Sequence, residues 1–284
     1  MRKYHILDQD ILLANKEYVE VYNKFLSLLE NDDDKKILHE IMFNEKYNGK
    51  IVGTGLWQRD NYGISIQRAV SYAYMLLCSR ETLDYVVEND ITLFHGTTSN
   101  ALPSIIKNGL KSVDLLMESN INVVSGEKWS RINGHRSFIS LTDVPDVAYG
   151  YSNISNKNKH VFPVVIATTD MVAENHGVIT ADFSLPEIGV RRTIPSEEIK
   201  AILVPSSRVQ YVQTISNGIK VLPLELSKKF YYTWDGYSLG INEERFKKFK
   251  KKDKSFSMRD VINLIQNAVH YNVQSKGEEN GKSK

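Results

Sequence analysis

Apolar residues recur at intervals of three and four positions through residues 1–90. Such spacing places apolar side chains on one face of a helix. Three series show it: Tyr18–Leu29, Ile37–Met42 and one long amphipathic pattern over Ile66–Val87. A glycine-rich stretch between the second and third series predicts a loop. We therefore predict a helical N-terminal region over residues 1–90.

Shorter apolar runs bounded by turn residues follow over residues 91–226. Runs of this length that are rich in β-branched residues are typical of strands. The clearest are Val161–Thr168, Ala201–Val204 and Lys220–Leu222. Leu116–His135 lacks clear periodicity and predicts a long loop. Helical and strand-rich parts in one chain predict an α+β fold.

Basic residues are concentrated in the last part of the chain. Arg245–Lys254 reads RFKKFKKKDK, with its two phenylalanines spaced for one helical face. Interleaved lysine and phenylalanine side chains could bind the phosphates and stack on the bases of a nucleic acid, or could lie on an anionic membrane surface. The alternative is a solvated helix whose aromatic rings pack inward. We predict a basic and helical extension over residues 227–272, with a helix at Met258–Val269, and a disordered tail over residues 273–284.

The stretch Leu93–Leu110 combines a strand, a polar loop and a short helix. Apolar residues before His95 predict the strand, and His95-Gly96-Thr97 are predicted to leave it as a loop with exposed side chains. Ser99 or Asn100 can cap the helix, and Gly109 can end it. The side chains that this helix is predicted to bury are those of Leu102, Ile105 and Ile106.

Two further segments follow in the chain. Phe138–Thr142 has the pattern of an apolar strand, and a helix that includes Ala148–Tyr151 follows it, with Asp143 as its predicted cap. Glu187 opens a short extended segment, and Pro195–Ile199 predicts a turn before the next strand.

Together these three segments resemble the ADP-ribosyltransferases that use NAD as donor. The resemblance is to the His-Tyr-Glu branch, which contains the poly-ADP-ribose polymerases and the diphtheria-like toxins. It implies an α+β core over residues 91–226, in which two short, mostly antiparallel sheets enclose an NAD cleft. The residues that carry it are His95, Gly96, Ile105, Gly109, Leu110, Ala148, Tyr151 and Glu187.

The resemblance implies a His-Tyr-Glu catalytic site with NAD as co-substrate. Cleavage of the nicotinamide–ribose bond builds positive charge on the ribose, so a carboxylate near the ribose hydroxyls stabilises the transition state. Glu187 is the candidate for that role, in competition with Glu197 and Glu198. His95 is expected to donate or accept a hydrogen bond with a ribose hydroxyl.

The nicotinamide ring and its amide need other groups. Tyr151 is expected to stack on the ring, with Tyr149 as the alternative, although either tyrosine could be a core residue. The backbone of Gly96 can pair with the amide, because no side chain blocks close approach. Further cofactor-binding candidates are Thr97, Phe138 and Ser140.

Differences from the arginine-specific members of this family bear on which acceptor is modified. Arginine-specific members carry an arginine on the first strand and two glutamates spaced by one residue. This chain has His95 on the first strand and Leu185 two places before Glu187. Arginine modification is therefore disfavoured, and the acceptor, protein or nucleic acid, stays open.

Two other interpretations remain. An NAD-dependent RNA 2′-phosphotransferase shares the fold but relies on several arginine and histidine contacts, for which Arg136, Arg191 and Arg192 are the unassigned candidates. A catalytically inactive binding module of the same fold would have no physical need for His95, Tyr151 and Glu187 together.

Composition adds exclusions. A formal net charge of +2 predicts no global field that drives the chain onto nucleic acid or membrane. The apolar runs are too short for a transmembrane helix, and acidic residues in the N-terminal segment predict no secretory signal. The single cysteine, Cys78, is predicted to be a buried thiol, and the histidine spacing predicts no metal site.

The family also suggests a biological setting. Free chains of this size with a bias to lysine, asparagine and isoleucine resemble its bacterial toxins and effectors. That resemblance implies a cytoplasmic location or delivery into a target cell, and an antitoxin or inhibitor protein as a further partner.

Overall fold

A computed structural model describes residues 13, 16–43, 62–119, 137–154, 161–182, 187–224, 232–234 and 239–241. The chain divides into two compact units, one formed by residues 1–77 and 227–284 and the other by residues 78–226. Helices and small sheets occur together, so the fold is α+β. None of the helices within the described ranges is long and apolar enough to cross a bilayer.

The first unit is built largely from the predicted helices. They are α1 (Lys16–Leu28), α2 (Asp32–Phe43) and α3 (Tyr62–Cys78), and a short antiparallel hairpin pairs Tyr232–Trp234 with Leu239–Ile241. Two pairs of aromatic rings in this unit pack edge to face. The ring centroids of Phe25 and Tyr74 lie 4.8 Å apart, as do those of Tyr22 and Phe43. The sequence pattern did not indicate the hairpin.

The long pattern over Ile66–Val87 forms two helices rather than one. The chain breaks at Ser79, whose hydroxyl accepts a hydrogen bond from the Thr82 amide at 3.2 Å and caps the helix α4 (Arg80–Glu88). Cys78 lies at the break, and this residue is partly exposed rather than buried. The apolar periodicity continues across Ser79, so the pattern does not indicate the break between the two helices.

The second unit contains the remaining elements. In chain order after α4 they are β1 (Leu93–Thr98), α5 (Leu102–Asn108), β2 (Leu110–Lys111), α6 (Val113–Glu118), β3 (Phe138–Leu141), α7 (Pro145–Ile154), β4 (Pro163–Thr168), α8 (Met171–His176), β5 (Val178–Asp182), β6 (Glu187–Arg191), β7 (Thr193–Ile194), β8 (Ala201–Val204), α9 (Val209–Ile215) and β9 (Lys220–Pro223). Single 3-10 turns, Ser196–Glu198 and Ser206–Arg208, flank β8.

Two sheets dominate this unit. The larger has the order β1-β4-β8-β9, and its pairs are antiparallel except for the parallel pair β8-β9. The smaller is antiparallel with the order β3-β6-β5. β4 and β8 are buried along their whole length, so the core of the unit lies around these central strands. β1 is an edge strand of the larger sheet.

Several local expectations about Leu93–Leu110 need correction. His95-Gly96-Thr97 do not form a loop; they lie inside β1 and pair with residues 164–166 of β4. Ala101, not Ser99 or Asn100, precedes α5, because the Ser99 hydroxyl accepts a hydrogen bond from the Phe162 amide at 3.2 Å instead. The inward-facing apolar residues of α5 and its end at Gly109, with φ +73°, are confirmed.

Two other predicted boundaries shift. α7 begins at Pro145, two residues after Asp143, the predicted cap. The segment predicted as a loop from Leu116 begins inside helix α6, whose own cap is Ser112. The rest of that loop, the glycine-rich stretch as far as residue 61, the basic run at 245–254 and the helix predicted at 258–269 lie outside the described residues. Tyr62 and Gly63, predicted to belong to the glycine-rich loop, lie in α3 instead.

Candidate functional site

The two sheets of the second unit meet at one backbone seam. Phe94 of β1 and Thr142, the residue after β3, exchange hydrogen bonds: the Phe94 amide donates at 2.8 Å and the Thr142 amide at 2.9 Å. Within the part of the chain that the structure describes, this bridge is the sole pairing between β1 and β3. Residues next to the seam therefore come from both sheets.

His95 lies beside this seam and makes a second link between the sheets. Its Nδ1 is 2.8 Å from the carbonyl oxygen of Ser140. A carbonyl oxygen only accepts, so Nδ1 carries the proton, and in the neutral ring Nε2 is left as an acceptor. Burial lowers the pKa of His95, and the bond to Ser140 opposes this effect. The residue as a whole keeps some exposed surface.

Gly96 presents its backbone toward the same gap. The amide and carbonyl of Phe94 point away from β4, toward Thr142. Because these directions alternate along an antiparallel strand, the amide and carbonyl of Gly96 also point away from β4, on the side of β3. No strand among the described residues pairs with them there.

The missing side chain of Gly96 also has a packing reason. A Cβ at this position would overlap the carbonyl oxygen of Ala148 and would lie 3.0 Å from the amide nitrogen of Ser152. Helix α7 therefore packs directly against the backbone of β1. Close approach of the helix excludes any larger residue.

α7 carries both tyrosines considered for ring stacking. Tyr149 is only 6% exposed, and its carbonyl oxygen accepts a hydrogen bond from the hydroxyl of Ser152 at 2.6 Å. Tyr151 is partly exposed and precedes the residue that touches Gly96. Of the two side chains, that of Tyr151 has more exposed surface on which a ligand could stack.

Glu187 reaches the seam through strand register. It is the first residue of β6, in which Ile188 pairs with Leu141 of β3. Leu141 is the last residue of β3 and directly precedes Thr142, the residue bridged to Phe94. The side chain of Glu187 is outside the described part of the structure, so the observation concerns its backbone position alone.

The other candidates occupy varied surroundings. Thr97 is partly buried in β1, Phe138 is 6% exposed at the start of β3, and Ser140 contributes its carbonyl oxygen to His95. Phe138 is thus chiefly a packing residue. No group of three or more His, Cys, Asp or Glu side chains within the described residues could hold a metal ion.

The two glutamates that compete with Glu187 differ from each other. Glu197 is exposed, but Glu198 is partly buried and accepts from His176 Nε2 at 2.7 Å and from Asn175 at 3.1 Å. Glu198 therefore ties the 3-10 turn to the end of α8. The sequence does not indicate this pairing, because the partners are 22 residues apart and no local pattern relates them.

The buried threonine at the end of β1 was also missed. Thr98 is 2% exposed, and its hydroxyl has no hydrogen-bond partner within the described structure. A buried hydroxyl without a partner is destabilising. A threonine in a strand pattern carries no signal of this kind, because its partner, or the lack of one, depends on tertiary packing.

Comparison with known proteins adds no relative. No protein-family model matches the chain, and no curated protein is significantly similar to it.

Proposed function

We propose that this chain is a mono-ADP-ribosyltransferase, which cleaves the nicotinamide–ribose bond of NAD and transfers ADP-ribose to a macromolecular acceptor. One observation carries the proposal: His95 follows Phe94, which is bridged to Thr142, and Glu187 begins the strand whose next residue, Ile188, pairs with Leu141 just before Thr142. His95 and Glu187 are 92 positions apart in sequence, and each lies on a different strand. The surrounding segments resemble NAD-dependent transferases, and this resemblance supplies the chemical roles that we propose for the two residues.

His95 would position the ribose. Its Nδ1 is occupied by the Ser140 carbonyl, so Nε2 of the neutral ring is available to accept a hydrogen bond from a ribose hydroxyl. The lowered pKa keeps the ring neutral near pH 7. His95 therefore acts in this proposal as a fixed acceptor and not as a proton shuttle.

Gly96 and Tyr151 would hold the nicotinamide. An amide group offers one donor edge and one acceptor edge, which match the outward-pointing carbonyl and amide of Gly96. The partly exposed ring of Tyr151 would stack on the pyridine ring. Both groups approach from α7 and β1, which are already in van der Waals contact at Ala148.

Glu187 would stabilise the reacting sugar. As the bond to nicotinamide breaks, positive charge develops on the ribose, and a nearby carboxylate lowers the energy of that transition state. The acceptor nucleophile then forms the new bond to the same carbon and loses its proton to solvent, while nicotinamide leaves with the electron pair of the broken bond. Atoms and charge balance without a metal or a redox partner.

The test is nicotinamide release and label transfer by the purified chain. Wild type and Glu187→Gln are incubated with radiolabelled NAD and a cell extract divided into protein, DNA and RNA. We expect label in one fraction with wild type, and turnover reduced at least 100-fold in Glu187→Gln while NAD still binds. Glu197→Gln, which removes an exposed carboxylate in the neighbouring turn, is the matched control and should retain activity. Absence of nicotinamide release from wild type would overturn the proposal.

A further inference from the structure

An arginine and two aromatic rings form an exposed cluster where β1 ends and β4 begins. The guanidinium carbon of Arg208 lies 5.3 Å from the centroid of the Phe162 ring. Tyr211 meets the same ring edge to face, with centroids 6.4 Å apart and planes at 82°. The Tyr211 residue is 58% exposed, which is unusual for so large an aromatic residue. We call these three residues the Arg208 cluster.

The Arg208 cluster is fixed to the strand that carries the candidate site. The Ser99 amide donates to the Phe162 carbonyl at 3.0 Å, and the Phe162 amide donates to the Ser99 hydroxyl at 3.2 Å. Ser99 is three residues beyond Gly96, which corresponds to about 10 Å along an extended strand. A polymer bound at the cluster could therefore extend to the seam within a few of its units.

Arg208 is the charged side chain of this cluster. Residues 200–224 contain three cationic side chains and no aspartate or glutamate. Lys200 and Lys220 lie at the opposite end of β8 and β9 from Arg208, and Lys220 is paired with Glu81 at 3.1 Å. Arg208 is exposed, and no described residue offers it a carboxylate. Its charge remains available for an anionic partner.

We infer that the Arg208 cluster binds a single-stranded nucleic acid, and that such a strand is the acceptor. This inference rests on the proposed transferase activity and names its acceptor class. An arginine that lies over one aromatic ring, next to a second exposed ring, combines phosphate attraction with a surface for base stacking. A duplex conceals the faces of its bases, so the exposed ring of Tyr211 favours an unpaired strand. One cation and two rings offer too little charge for a membrane surface.

Binding is tested with the full chain and a short fluorescein-labelled oligothymidine, by fluorescence anisotropy without NAD. Tyr211→Ala should weaken binding at least about fivefold, and Tyr211→Phe, which keeps the ring, should bind like wild type. Arg208→Gln should weaken binding and reduce the slope of log K against log salt by about 0.7. Lys200→Gln removes the same charge at the far end of β8 and should leave affinity within twofold of wild type.

Two results would overturn the inference. One is wild-type affinity in both Tyr211→Ala and Arg208→Gln, which would assign any binding to another surface. The other is equal loss in Lys200→Gln, which would indicate an unspecific charge effect. Nicotinamide release without acceptor, measured on the same variants, distinguishes failure of this inference from failure of the proposed function. The variants should release nicotinamide like wild type even where oligonucleotide binding is lost.

Discussion

Nδ1 of His95 donates to the carbonyl oxygen of Ser140 at 2.8 Å, and this bond links the two sheets of the second unit. It does two things at once. It fixes which ring nitrogen carries the proton, and it holds the imidazole beside the Phe94–Thr142 bridge. A single side chain therefore contributes both to the joint between the sheets and to the proposed ribose contact.

The two roles of His95 can be separated by substitution. Asparagine places an amide nitrogen near the position of Nδ1, so His95→Asn should keep the bond to Ser140 and lose the Nε2 acceptor. We expect a fold close to wild type but kcat/KM for NAD cleavage at least tenfold lower. His95→Ala, which loses both contacts, should also melt at a lower temperature. Equal melting temperatures for His95→Asn and His95→Ala would argue against a structural contribution from the Ser140 bond.

Stability should depend on pH through His95. Burial holds the pKa of the folded imidazole below its ordinary value of about 6.5. Below pH 6.5 the unfolded chain therefore binds more protons at this residue than the folded chain does. The contribution of neutral His95 to the free energy of unfolding is complete above pH 6.5 and decreases as the solution becomes more acidic. Chemical denaturation of wild type and His95→Asn from pH 7.5 to 5.5 tests this. Wild type should lose more stability than His95→Asn toward the acidic end, and equal losses in the two proteins would contradict this dependence.

Gly96 and Gly177 form a matched pair for a packing test. A Cβ at Gly96 overlaps the Ala148 carbonyl oxygen, so Gly96→Ala should cost about 3 kcal/mol or more as α7 is displaced. Gly177 has φ +73° with ψ 145° and nothing within 4 Å of an added Cβ, so Gly177→Ala should cost only the backbone strain of this conformation, about 1–3 kcal/mol. Urea denaturation of both variants measures the difference. Similar losses at the two sites would contradict the close packing of α7 on β1.

Much of the local structure in this region could be predicted from sequence, and the error at His95-Gly96-Thr97 shows the limit. Small and polar residues after an apolar start suggested a loop. In the structure these residues remain extended because the apolar strand β4, 70 positions away, pairs with them. Short-range patterns describe a strand's own composition and contain no information about a distant partner. The Ser99 error has the same cause, since Phe162 recruits the hydroxyl that was expected to cap α5.

Thr98 and Thr82 test the cost of a buried hydroxyl. Thr98 has no hydrogen-bond partner within the described structure, so Thr98→Val should be neutral or raise stability by about 1 kcal/mol. Thr82 is equally buried, but its hydroxyl donates to the Pro223 carbonyl at 2.7 Å. Thr82→Val should therefore lower stability by about 1–2 kcal/mol. Thermal unfolding of both variants gives the comparison, and a destabilised Thr98→Val would mean that the hydroxyl has a partner.

For the candidate site, sequence indicated which residue types to consider but not how they meet. His95 and Glu187 belong to separate motifs, and where each lies relative to the seam depends on the register of β6 against β3 and on one backbone bridge. The Arg208 cluster was not indicated at all, because its members come from the start of β4 and from the turn and helix after β8. Such clusters depend on chain topology and not on periodicity.

The contact between Gly96 and Ala148 also affects how a deep mutational scan of this chain should be interpreted. A screen that reports only enzymatic output would mark position 96 as intolerant and attribute the result to chemistry. A parallel screen of cellular abundance would find the same intolerance, because the helix and strand can no longer dock. Glu187 and Tyr211 should behave differently, with substitutions that deplete output while abundance stays high. The two screens together would separate residues that build the scaffold from those that act on a ligand.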